Sequence, residues 1–81
     1  MTRPVAKGDG AGDRFWQALH EEREALERAL ALVQVRRRIA VGPEETAQAK
    51  REEADLLVDL DRVLTRIRAE EYRRRPGARQ W

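Results

Sequence analysis

No cysteine occurs among the 81 residues, so disulfide staples and thiolate metal sites are excluded, and the redox compartment is left open. Four aromatic residues, Phe15, Trp16, Tyr72 and Trp81, are too few for a large aromatic core. The longest apolar run, Ala29-Leu30-Ala31-Leu32-Val33, falls far short of the roughly 20 residues that a membrane helix requires. The opening stretch, Met1 to Gly8, holds no apolar segment that would serve as a secretion signal, which makes a cytoplasmic location the expectation. Neither glycine nor proline interrupts residues 13–41.

Chemistry-bearing groups are equally sparse. Hydroxyls are confined to Thr2, Thr46, Thr65 and Tyr72, and no nucleophile constellation forms from them. Gly8, Gly10 and Gly12 follow no strand, so they are not a phosphate-binding loop. His20 is the single histidine. Glu21 and Glu24 stand near it, but the position three before it is Gln17, where a di-iron bundle would want glutamate. A boundary histidine beside the apolar stripe is the plainer reading, with no metal and no cofactor expected. The carboxylate pairs Glu21/Glu22, Glu52/Glu53, Asp59/Asp61 and Glu70/Glu71 fit solvated helix faces with charge pairs one turn apart. No catalytic residue emerges, and a non-enzymatic protein is expected.

What the sequence has in abundance is charge beside aliphatic residues, at 40% charged and 41% hydrophobic. That balance belongs to long solvated helices and coiled coils rather than to a compact globule. The 17 basic and 15 acidic residues nearly cancel, leaving a net charge of +2.

The order along the chain is simple. Residues 1–12, rich in glycine, read as a disordered arm, and Asp13 reads as the N-cap of a helix over 14–41. In that helix Leu19, Leu26, Val33 and Ala40 recur every seven residues, and Ala18, Ala25, Leu32 and Ile39 repeat the spacing one residue earlier. The result is a broad stripe rather than a narrow seam. Gly42 is a natural left-handed stop and Pro43 a natural first residue of a new helix, giving a turn at 42–43. A second helix over 44–75 carries Ala49, Leu56, Leu57, Leu60, Val63, Leu64 and Ile67, and Pro76-Gly77 ends it before a flexible tail, 76–81. The odd-numbered Val33, Val35, Ile39 and Val41 also fit a period-two strand, but no second strand exists to pair with it, and helix is preferred.

A connection this short makes the helices antiparallel neighbours. The expected fold is an all-α, coiled-coil-like two-helix hairpin that places Leu26 near Leu60 and Val33 near Glu52 and Glu53. Its apolar stripe is wider than two helices can cover. Burying a leucine stabilises by roughly 1.5–3 kcal/mol, so the surplus favours pairing of two hairpins into a four-helix bundle. The expected interface draws on Leu19, Leu26, Leu30, Val33, Leu57, Leu60, Leu64 and Ile67. The functional expectation is a small interaction, adaptor or regulatory protein that forms a homodimer and docks on a larger protein. The alternative is a dimeric nucleic-acid binder using Arg36, Arg37, Arg38, Arg73, Arg74 and Arg75. Both arginine clusters fall at helix C-termini, where the helix dipole alone favours cations.

Overall fold

The computed structural model describes residues 5–74. They form two helices, α1 (Val5–Ile39) and α2 (Pro43–Arg74), packed against each other, with no strand among the described residues. The strand alternative for 33–41 therefore falls away: α1 runs through Ile39, and Val41 lies in the turn. No helix of the described residues is long and apolar enough to cross a membrane.

The turn is tightly specified. Gly42 sits at φ 94°, the left-handed region, so it reverses the chain in one residue. Its carbonyl accepts from the Thr46 backbone N–H at 3.2 Å and from the Thr46 hydroxyl at 2.8 Å. Glu45 reaches back to accept from the Val41 N–H at 3.0 Å. These contacts satisfy groups that a helix terminus leaves unpaired. Glu44 and Glu45 lie in the first turn of α2 and Arg36, Arg37 and Arg38 in the last turn of α1, each sign matching its end of the helix dipole.

α1 begins at Val5, well before the start expected at 14. Helix therefore covers part of the stretch expected to be a disordered arm, and Asp13 is not an N-cap. Glycine costs a helix about 1 kcal/mol per residue relative to alanine but does not forbid it, and propagation of an established helix is far easier than nucleation. Asp13 instead sends its carboxylate across the hairpin to Arg74, at 3.7 Å. The expectations for residues 1–4, for Arg75 and for the tail at 76–81 lie outside the described residues.

The helices meet along two series of seven-residue spacing. On α1 the seam holds Trp16, Leu19, Arg23, Leu26, Leu30, Val33 and Arg37. On α2 it holds Ala49, Glu53, Leu56, Leu60, Val63, Ile67 and Glu70. Among the described residues, Leu19, Val33, Ala49, Val63 and Ile67 are buried. The apolar part concentrates at the open end, where Leu19, Val63 and Ile67 cluster with Trp16 and Leu26. Toward the turn, Val33 and Ala49 are buried, with polar contacts beside them. Glu53 accepts from Arg37 at 2.7 Å and from Gln34 at 3.2 Å, while Arg36 donates to Glu52 at 2.8 Å.

Candidate interaction surface

A hairpin one helix thick has little interior, and the described residues show how much apolar surface is left outside. Leu32 and Ile39 are each 69% exposed, Val41 80%, and Phe15, Val35, Leu57, Val58 and Tyr72 are exposed as well. Single exposed leucines are ordinary, but a contiguous exposed strip marks a contact surface.

On α1 these residues are not scattered. Phe15, Ala18, Ala25, Ala29, Leu32 and Ile39 follow the alternating three- and four-residue steps of a coiled-coil seam, with Glu22 and Arg36 at the two remaining positions. This outer series lies one residue behind the inner one. At 3.6 residues per turn, that offset rotates it about 100° around the helix. α1 thus carries two seams, one covered by α2 and one open. The seven-residue series through Ala18 and Leu32 is legible in the sequence. Read as the flank of one broad stripe, however, it gives no sign that it belongs to a separate face.

The eight residues expected at an interface separate accordingly. Leu19, Val33 and Ile67 are buried between α1 and α2, Leu26, Leu30 and Leu60 are half-buried along the same seam, and Leu64 is half-buried beside it. Leu57 alone is exposed. The structure brings seven of them together as the inside of one hairpin, and the open surface is drawn mostly from other residues.

Of the six arginines, four are tied within the chain. Arg36 pairs with Glu52, Arg37 with Glu53, Arg73 with Glu70 at 3.4 Å and Arg74 with Asp13. Arg74 also donates to the Gly12 carbonyl at 3.2 Å and lies 4.7 Å from the Trp16 ring centroid, a cation–π distance. The Arg36–Glu52 contact is strong enough to shift both groups. Its hydrogen bond, then the charge attraction, raises Arg36, and the hydrogen bond from Arg36 lowers Glu52. The two clusters stand at opposite ends of the hairpin and do not merge.

At the open end, His20 packs edge-on to Trp16, with ring centroids 4.3 Å apart. Its Nδ1 lies 3.4 Å from Arg23 Nη2. A guanidinium only donates, so Nδ1 is the acceptor in this contact. That Nε2 is buried without a partner among the described residues. No group of three or more histidines and carboxylates gathers to hold a metal ion among them either.

Concavities among the described residues include one that follows the turn at Val41, Gly42 and Pro43, one beside Arg37 and Arg38, and a groove between the helices lined by Glu22, Asp59, Arg62, Val63 and Arg66. The groove sets Glu22 of α1 near Asp59, Arg62 and Arg66 of α2. No protein-family model, curated protein or solved structure matches the chain.

Proposed function

We propose that this chain is a small non-enzymatic interaction module that works by self-association, two hairpins closing into a four-helix bundle that docks on or regulates a larger protein. The observation that carries the reading is the imbalance between core and surface. Among the described residues five are buried, while eight large apolar residues stand exposed.

The nucleic-acid reading has less support, because Arg36, Arg37, Arg73 and Arg74 already answer acidic partners in the hairpin. A protein that neutralises several phosphates needs free cations on one surface.

Thermal melting across a hundredfold range of protein concentration tests the self-association. Mass action makes the melting temperature of a self-associating fold rise with concentration. A midpoint that does not move with concentration contradicts it.

A further inference from the structure

We draw no further inference here: the strongest candidate, the exposed apolar strip on the outer face of α1 that carries Leu32 and Ile39, has nothing in the structure to show what covers it, because Arg36 and Arg37 at its turn end already pair with Glu52 and Glu53.

Discussion

Arg37 donates to Glu53 at 2.7 Å across the hairpin, and Glu53, with its side chain only 15% exposed, accepts from Gln34 with its other oxygen. Both charged residues occupy positions where a coiled coil would place aliphatic side chains. A polar pair at such positions fixes register at a cost in stability. Arg37 is 45% exposed, so solvent screening limits the pair energy to about 1 kcal/mol or less. A double-mutant cycle with Arg37→Ala and Glu53→Ala, read by urea unfolding, is expected to give a coupling in that range. Zero coupling would remove the pair from the account of the register. Glu53→Leu is expected to match or exceed wild-type stability, because an apolar side chain at this half-buried seam position carries no desolvation cost.

Gly42 carries the chain reversal at φ 94°, and a methyl group built on it meets nothing within 4 Å. The cost of Gly42→Ala is therefore backbone strain alone, about 1–2 kcal/mol. Gly12→Ala provides the opposite case. It too meets nothing within 4 Å, but it lies inside α1, so it is expected to stabilise by up to about 1 kcal/mol. Denaturant midpoints that move in the same direction for both variants would contradict the placement of one of them.

Much of this fold is legible in the sequence because its signals are local. Gly42-Pro43 marks the turn, the seven-residue repeats mark the helices, and so short a connection, Ala40 to Gly42, leaves only antiparallel pairing. Three features are not legible, each for a physical reason. The start of α1 at Val5 is hidden because glycines lower helix propensity without abolishing it. The seam roles of Arg23, Arg37, Glu53 and Glu70 are hidden because an apolar periodicity passes over charged residues whose stems pack while their heads stay wet. The separation of the two α1 seams is hidden because a one-residue offset widens a stripe on paper. The placement of α2 shows that Leu19 is covered and Leu32 is left open.

His20 buries Nε2 without a partner, and an unsatisfied buried donor costs roughly 1–3 kcal/mol. His20→Leu removes that donor while keeping an apolar body against Trp16. It is expected to hold or raise the melting temperature, by about 4–8 °C for each kcal/mol gained in a domain of this size. A clear fall would mean that Nε2 is hydrogen-bonded in the assembled protein.

The lowered Glu52 fixes the direction of one pH effect. Its pairing with Arg36 contributes fully above the unfolded-state value of the carboxyl. The contribution is lost as pH falls from there through the lower folded-state value. Denaturant midpoints measured from neutral pH into the acid range are therefore expected to fall less steeply for Glu52→Gln than for wild type. Parallel profiles would mean that the pair contributes nothing.

The mass of the unmodified chain in solution, measured by light scattering coupled to size exclusion at micromolar concentration, bears most directly on the hairpin as half of an assembly. Twice the chain mass of 9.4 kDa is expected. A well-folded, fully helical species at 9.4 kDa over the same range would contradict it.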